Sequence, residues 1–273
     1  MKLNVLISTI DRGIERVEEV LLEPRPGVKY IVSHQVIDER FRKIPAVLRR
    51  EDVVIDQIEN RGLSRNRNNS IAMADGDVAL LADDDVLYQP QYFENLKKAF
   101  QSDPALDVAC FRIDTPAGDP QYKEYPAEPF LLNRESRHYI SSIEIAFRPE
   151  KIRSRGLKFD LRFGLGSDLN IFGEEAVFIH DCIKAGLMVK YVPEYVVMHP
   201  AESTIKTLDR FAAASTVFKG AYDARRYGLP AFPAAFYDTL KYRAELSRRG
   251  KKPFSYLKER LKGACYIFRN RGA

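Results

Sequence analysis

The stretch "GDVALLADDDVLYQP", residues 76–90, decides the predicted fold of this chain. Its first half, "DVALLA", is apolar at every position after Asp77. Such a run is typical of a strand buried on both faces in the centre of a parallel sheet. Three consecutive carboxylates, Asp83, Asp84 and Asp85, follow this strand. They therefore fall at the carboxyl end of a central strand, where open α/β sheets bind their ligands.

Strand and helix patterns alternate on both sides of this stretch. Residues 14–22 and 64–76 have the pattern of helices. The predicted strands are "KLNVLIST", "VKYIVSH" and "EDVVIDQI" before the carboxylates and "VPEYVVMHP" after them. Strands separated by helices of this length predict βαβ units and a mostly parallel sheet with helices on both faces.

Composition narrows the class of protein. The chain has 273 residues, of which 45% are apolar and 30% charged, and these values exclude a wholly disordered, collagen-like or coiled-coil protein. Its three cysteines are far apart and have no metal-binding spacing, as expected in a reducing compartment. No run approaches the roughly 18–20 apolar residues of a membrane-spanning helix, and the N-terminus lacks the features of a secretory signal. These features predict a cytoplasmic protein.

The three adjacent carboxylates have two interpretations. One is a solvated turn, because Asp is common where a strand ends. Three of them, however, repel one another unless a cation or strong hydrogen-bond donors lie nearby. Alternate residues of an extended segment point the same way, so Asp83 and Asp85 can converge on one ligand while Asp84 faces elsewhere. Oxygen ligands of this kind suit Mg²⁺ or Mn²⁺, completed by phosphate oxygens and water.

The order of the motifs resembles that of the family 2 glycosyltransferases, which have the nucleotide-sugar-binding GT-A fold. That family has a segment like "G-x-S-x-A-R-N-x-G", a helix ending in Gly, an apolar strand and an acidic D-x-D element. This chain has "GLSRNRNNSIAMADGDVALLADDDV" in the same order, and we assign Arg65 and Asn66 to the family's Arg-Asn pair. Further along, "GEEAVFIHDCIKAG" resembles the family's "G-E-D-x-x-F" element. The resemblance covers roughly residues 3–200.

The resemblance implies both a fold and a function. The implied fold is α/β, a GT-A three-layer α/β/α sandwich with a mostly parallel central sheet over residues 1–204, followed by a helical C-terminal extension over 205–273. The implied function is a metal-dependent, inverting transfer of a sugar from a nucleoside-diphosphate sugar to a glycan or lipid-linked acceptor, as in bacterial surface-polysaccharide synthesis. Mn²⁺ or Mg²⁺ is the implied cofactor, because the departing diphosphate requires charge stabilisation.

Glu174 and Glu175 are the predicted catalytic residues. Transfer to a hydroxyl group needs a base, since a neutral alcohol is a poor nucleophile. The family's usual base is the second acidic residue of its "E-D" pair, which corresponds to Glu175. Both glutamates fall in the first turn of a helix predicted to end near Gly186, and a helix N-terminus favours the charged carboxylate. The alternative is that they only complement the helix dipole.

The other site residues are expected at strand ends and in a glycine-rich loop. His199 ends the last predicted strand and, by the resemblance, completes the metal shell with Asp83 and Asp85; the alternative is a structural histidine. Residues 160–168, "DLRFGLGSD", resemble the family's acceptor loop, and the alternative is a plain connector. We assign the nucleotide to Thr9, Asp11, His34, Arg65, Asp83 and Asp84, and the acceptor to Gly166, Ser167 and Asp168.

Two other classes of protein share parts of these patterns. "DDDV" also fits the D-x-D-x-[TV] element of haloacid-dehalogenase-like phosphatases, but that family carries it on the first strand, and here a βα pattern precedes it. A nucleic-acid-binding protein is suggested by the isoelectric point near 9.0. The basic residues follow no recognisable nucleic-acid-binding module, so we predict no such partner.

The positive charge is concentrated in the C-terminal tail. Residues 241–273 contain 11 Lys and Arg against Glu245 and Glu259, a net charge of +9, whereas the whole chain has +5. Either the tail helix packs its apolar face on the rest of the protein, or it contacts an anionic membrane at the inner face of the plasma membrane. The apolar residues at helical spacing are Phe254, Leu257, Leu261, Ala264 and Phe268.

Overall fold

The computed structural model describes residues 1–136, 138–201 and 209–270. The chain divides into two compact units. The first consists of Met1–Asp160 and Glu174–Glu202, and the second of Leu161–Gly173 and Ser203–Ala273. This division lies next to the predicted boundary at residue 204, but it differs from the prediction in grouping Leu161–Gly173 with the C-terminal unit.

The strands of the first unit form one eight-stranded sheet. They are β1 Leu3–Ile10, β2 Val28–Gln35, β3 Val53–Ile58, β4 Val78–Asp83, β5 Val108–Asp114, β6 Phe130–Leu131, β7 Ile145–Phe147 and β8 Val189–Met198. Their order across the sheet is β3-β2-β1-β4-β7-β5-β8-β6. Only β6 and β7 run antiparallel to their neighbours. The sheet is therefore mostly parallel, as predicted, and β4, which leads into the carboxylates, lies between β1 and β7.

The helices cover the sheet and build the second unit. The α-helices are α1 Val17–Val20, α2 Leu63–Met73, α3 Pro90–Ser102, α4 Pro149–Ser154, α5 Glu174–Lys184, α6 Ala213–Tyr227, α7 Ala231–Lys241, α8 Arg243–Arg248 and α9 Pro253–Arg269. The helix predicted over 14–22 is wrong in extent, because a 3₁₀ turn over Asp11–Glu15 and the short α1 occupy the segment. The prolines in the following "LLEPRP" disfavour helical backbone at the residues before them. Among the described residues, no helix is long and apolar enough to cross a membrane.

Alternate residues of β4 enter two different cores, one on each face of the sheet. Leu80 and Ala82 belong to the cluster that includes the apolar side of α3, whereas Ala79 and Leu81 belong to the cluster that includes the apolar side of α5. Apolar contacts on both faces explain why this strand has no polar alternation. The predicted three-layer α/β/α arrangement is confirmed.

In the second unit, α6 and α9 approach each other closely at two glycines. A Cβ atom on Gly220 would lie 2.0 Å from the carbonyl oxygen of Arg260, and one on Gly263 would lie 2.0 Å from that of Val217. The buried face of α9 consists of Tyr256, Arg260, Gly263, Ala264 and Ile267. It shares only Ala264 with the face predicted from the sequence, because the packing follows the small residues that allow close approach rather than the largest apolar ones.

Candidate active site

The carboxyl ends of β1, β2 and β4 bring several predicted site residues to one edge of the sheet. Ser8 on β1 is in register with Asp83 on β4, and Thr9 on β1 is in register with His34 on β2. Parallel neighbours end on the same side, so the loops that follow them meet there. The side chains at this edge nevertheless divide into groups with different environments.

Arg67, which is not among the predicted site residues, links the carboxylates of this edge. It lies on α2, is 2% exposed, and donates to Asp83 Oδ1 at 3.1 Å and to Glu174 Oε1 at 2.5 Å. It also donates to the Ser142 hydroxyl at 2.8 Å, and its guanidinium carbon lies 5.6 Å from the ring centroid of Phe159. Burial opposes the charge of Arg67, but the neighbouring carboxylates outweigh burial and raise its pKa. A charged Arg67 therefore joins the end of β4 to the start of α5.

This arrangement corrects the assignment of the Arg-Asn pair. Counted from the first glycine of "GLSRNRNNS", the family pattern has its pair at Arg67 and Asn68, two positions after the predicted Arg65 and Asn66. Arg65 is exposed on α2. The amide of Asn68 donates to the carbonyl oxygen of Phe159 at 2.8 Å and accepts from its N–H at 2.7 Å. The motif spacing was thus the signal that identifies Arg67.

Glu174 and Glu175 are the first two residues of α5, and both are buried. Glu174 is ion-paired with Arg67. Burial, together with the charge of Glu174, raises the pKa of Glu175 well above its ordinary value. Burial therefore opposes the effect of the helix N-terminus, which contributes only about 0.3–1 kcal/mol, and the charged form of Glu175 stays a prediction. A glutamate whose pKa is raised above its ordinary value suits a general base.

Asp85 and His199 lie side by side beyond the strand ends. Asp85 Oδ1 and His199 Nε2 are 3.8 Å apart. The Nδ1–H group of His199 donates to the Pro200 carbonyl at 2.8 Å, so Nε2 is the nitrogen that faces the carboxylate. His199 lowers the pKa of Asp85, and Asp85 in turn raises the pKa of His199. The pair is held by mutual electrostatic attraction at a partly exposed position.

The side chains around Asp85 show whether this place could bind the predicted Mg²⁺ or Mn²⁺ ion. In the part of the chain that the structure describes, no group of three or more His, Cys, Asp or Glu side chains is arranged to hold a metal ion. Asp83, the third predicted ligand, accepts from Arg67. Mg²⁺ and Mn²⁺ commonly take one or two protein ligands together with substrate phosphates and water. Asp85 and His199 fit such an ion if substrate phosphates and water supply its other ligands. The metal stays a prediction.

Thr9 and Asp84 are bonded to each other. The Thr9 hydroxyl donates to Asp84 Oδ2 at 2.5 Å, and Arg16 forms an ion pair with the same carboxylate. Asp84 thus faces away from its two acidic neighbours, as the strand alternation predicts, and it anchors this loop to the turn after β1. The assignment of Thr9 and Asp84 to the nucleotide is not supported, because their polar groups satisfy one another.

His34 and Asp11 also have internal partners. His34 is 0% exposed, its Nε2–H donates to the Asp11 carbonyl at 3.0 Å, and its Nδ1 accepts from Gln57 at 3.1 Å. Burial lowers the pKa of His34, so it is a neutral structural histidine and its assignment to the nucleotide is wrong. Asp11 Oδ1 accepts from the N–H groups of Ile37 and Asp38. Asp11 remains partly exposed, and its contact with the nucleotide stays a prediction.

The predicted acceptor residues, 166–168, belong to the second unit. Gly166 has a φ of +81°, and its N–H donates to the Asn170 side chain at 2.8 Å. The Asp168 carboxylate accepts from the Tyr266 hydroxyl at 3.1 Å. The segment is therefore a hydrogen-bonded turn rather than a plain connector, and its role toward an acceptor stays a prediction.

Residues 48–164 match the family model described as "Glycosyl transferase family 2". This part of the chain is therefore similar to the family 2 glycosyltransferases. The matched region contains Arg67, the three consecutive aspartates and strands β3 to β7, and it ends before Glu174 and His199. Because the match includes "DDDV", it counts against the phosphatase interpretation of that element.

Solved structures of S. aureus TarS resemble this chain in fold. TarS 1-349 has a TM-score of 0.52 at 15% identity, covering 73% of this chain and 60% of the TarS chain. Its complex with UDP has a TM-score of 0.53 at 17% identity, covering 73% of this chain and 60% of the TarS chain. Its complex with UDP-GlcNAc has a TM-score of 0.56 at 13% identity, covering 82% of this chain and 66% of the TarS chain. The chain therefore has the GT-A fold and spans less than two thirds of these TarS chains. A search of curated proteins finds no match.

Proposed function

We propose that this protein transfers a sugar from a nucleoside-diphosphate sugar to a hydroxyl group of a glycan or lipid-linked acceptor. The observation that carries the proposal is the ion-paired chain Asp83–Arg67–Glu174, which runs from the end of β4 to the first turn of α5. The buried Arg67 therefore contacts both a carboxylate proposed for the nucleotide-sugar site and a member of the glutamate pair that includes the proposed base. The TarS structures with UDP and UDP-GlcNAc support a nucleotide-sugar donor.

In this proposal Asp85 and His199 hold a Mg²⁺ or Mn²⁺ ion. Their donor atoms, a carboxylate oxygen and an imidazole nitrogen, suit such an ion when phosphate oxygens and water complete its shell. When bound, the ion stabilises negative charge on the departing diphosphate. Asp83 contributes a further negative charge beside this site and orients Arg67.

Glu175 accepts the proton of the acceptor hydroxyl. Its raised pKa makes the ionised form a stronger base near neutral pH than an ordinary glutamate. The charge of Arg67 lowers the pKa of Glu175 in part, which opposes permanent protonation. As the proton leaves, the hydroxyl oxygen attacks the anomeric carbon, and the bond from that carbon to the diphosphate oxygen breaks with inversion of configuration.

The setting that we propose is bacterial surface-polysaccharide synthesis at the inner face of the plasma membrane. Its support is the resemblance to family 2 enzymes, many of which act in such assembly.

Thermal unfolding with nucleotide sugars tests the donor and the metal together. Wild-type protein is measured with a set of nucleotide sugars, each with Mn²⁺ and with excess chelator. We expect a rise in Tm that requires both nucleotide and metal. Asp85→Ala should lose the metal-dependent part of the rise, while Glu94→Gln, at an exposed acidic position on α3, should behave as wild type.

Two outcomes would contradict different parts of this proposal. Full stabilisation by a nucleotide sugar in chelator, or in Asp85→Ala, would exclude the metal role. Absence of stabilisation and of sugar transfer with every nucleotide sugar would exclude the transferase itself.

A further inference from the structure

The outer side of α7 carries a continuous apolar stripe. Its members recur at helical spacing, and the hydrogen bonds from Phe232 N–H to Leu229 O and from Ala234 N–H to Pro230 O continue the helical register at its start. The exposed fractions of the four large side chains are 68% for Leu229, 52% for Phe236, 65% for Tyr237 and 73% for Leu240. We call this set the α7 stripe: Leu229, Pro233, Phe236, Tyr237 and Leu240.

The opposite side of α7 is fixed within the second unit. Ala231, Ala235 and Thr239 are buried, and the ring centroids of Phe232 and Phe268 are 5.3 Å apart. Asp238 accepts from the buried Arg260 of α9 at 2.7 Å. Turning the α7 stripe inward would break these contacts and expose a buried ion pair. The stripe is therefore held at the surface by the packing behind it.

Basic residues dominate the segment around the α7 stripe. Residues 225–252 contain eight Lys and Arg and two acidic residues, Asp238 and Glu245. Both acidic side chains are ion-paired, Asp238 with Arg260 and Glu245 with Arg210. Lys241 and Arg243, which directly follow the stripe, are exposed. Exposed positive charge thus directly follows the apolar stripe along the chain, and the carboxylates in the segment already have cationic partners.

We propose that the α7 stripe is a membrane-contact surface that binds the interface of an anionic lipid bilayer. Exposed Phe, Tyr and Leu side chains bordered by Lys and Arg are the combination that interfacial helices use, because apolar burial and attraction to anionic headgroups act together. A partner protein of opposite charge is less favoured, since a stripe this apolar offers few groups for directional bonds. The proposal does not depend on the proposed transferase activity.

This surface differs from the one that the sequence predicted. The tail over 241–273 supplies positive charge, but α9 uses Arg260 and Gly263 to pack against α6. The contact proposed here is assigned to α7 and the adjacent basic residues, while Phe254 of α9 is 77% exposed and the contact of the tail itself with a membrane stays a prediction. Deleting 241–273 would remove α9 and its packing face, so point substitutions on α7 are the sharper test.

Vesicle flotation of the full-length protein tests the proposal. The probes are vesicles of phosphatidylcholine with phosphatidylglycerol and vesicles of phosphatidylcholine alone. Wild-type protein should bind the anionic vesicles, and binding should weaken with salt. The triple variant Phe236→Gln, Tyr237→Gln and Leu240→Gln should lower the partition coefficient about tenfold or more, because it removes most of the apolar contact area.

Matched variants separate apolar contact from charge and from folding. Ile37→Gln, Val47→Gln and Leu131→Gln remove three exposed apolar side chains of the first unit and should leave binding unchanged. Lys241→Gln with Arg243→Gln should reduce the preference for anionic vesicles. Circular dichroism and Tm confirm that each variant is folded.

Three results would overturn the proposal. They are no binding of wild-type protein at low salt, equal binding by wild-type protein and the α7-stripe variant, and a wild-type oligomer that the stripe variant converts to a monomer without any vesicle binding. The last result would make the stripe an interface between copies of this chain.

Discussion

Replacing Arg67 with Met is expected to destabilise the first unit by about 3–5 kcal/mol at neutral pH. Met retains an unbranched apolar side chain but lacks the guanidinium group that contacts Glu174 at 2.5 Å and Asp83 at 3.1 Å. Glu174 is only 5% exposed, so water cannot replace the lost partner. Against a typical total stability of roughly 5–15 kcal/mol, this is a large fraction.

The destabilisation should depend on pH, because Arg67 also acts on Glu175. In wild-type protein the pKa of Glu175 is raised, so the stability that its protonated form contributes is present below about pH 4.3 and is lost as the pH rises through the raised value. Removing the charge of Arg67 raises this pKa further and widens the range over which stability is lost. The difference between variant and wild type should therefore be smallest in acid and should grow as the pH rises.

Hydrogen exchange measured by mass spectrometry on peptides of β1 and β4 reports the opening free energy of the first unit by itself. Tryptophan fluorescence is no substitute, since the chain has no Trp. Arg65→Met is the matched control, because Arg65 is exposed on the same helix and should change stability by no more than about 0.5 kcal/mol.

Equal effects of Arg67→Met and Arg65→Met would refute the ion-pair reasoning. A difference between Arg67→Met and wild type that does not vary with pH would refute the link to Glu175.

Further predictions concern the base, the helix crossing and a buried histidine. Glu175→Gln should lower kcat about 100-fold or more with little change in donor Kd, measured by steady-state kinetics and calorimetry; a normal kcat would exclude Glu175 as the base. Gly263→Ala should destabilise the second unit by about 1–3 kcal/mol in scanning calorimetry, because its Cβ meets a backbone oxygen at 2.0 Å; Lys262→Ala, at an exposed neighbouring position, is the control, and equal effects would contradict this account. His34 should titrate in NMR below about 6.5, because burial lowers its pKa. Since its folded pKa is depressed, the stability that it contributes is present above that value and is lost as the pH falls, and a pKa near the ordinary one would contradict its burial.

Local sequence patterns predicted strands β1–β4 and β8 and the mostly parallel sheet of the first unit, but not strands β5–β7. The unbroken apolar run before Asp83 predicted a central strand, and β4 lies between two strands with a core on each face. Burial on both faces demands apolar residues at every position, so the requirement is visible in the sequence. A 3₁₀ turn and a short helix replace the helix predicted over 14–22. The prolines that follow disfavour helical backbone before them, and the helical pattern alone does not include this effect.

The roles of polar side chains at the strand ends could not be predicted with the same success. Alternation correctly separated Asp84 from Asp83 and Asp85, but its bonds with Thr9 and Arg16 depend on a turn about 70 residues earlier in the chain. A motif therefore does not determine which hydrogen-bond or ion-pair partner each of its carboxylates has.

The sequence by itself determined strands β1–β4 and β8, helices α2 and α5, where the carboxylates fall in the sheet and which family pattern the chain follows, because each is encoded by neighbouring residues. Tertiary structure alone decided that Arg67 joins Asp83 to Glu174, that His34 is buried, and that Gly220 and Gly263 select the packed face of α9. The physical reason is distance along the chain: Arg67 and Glu174 are 107 residues apart. Burial, which sets the charge state of such groups, arises only when these segments pack together.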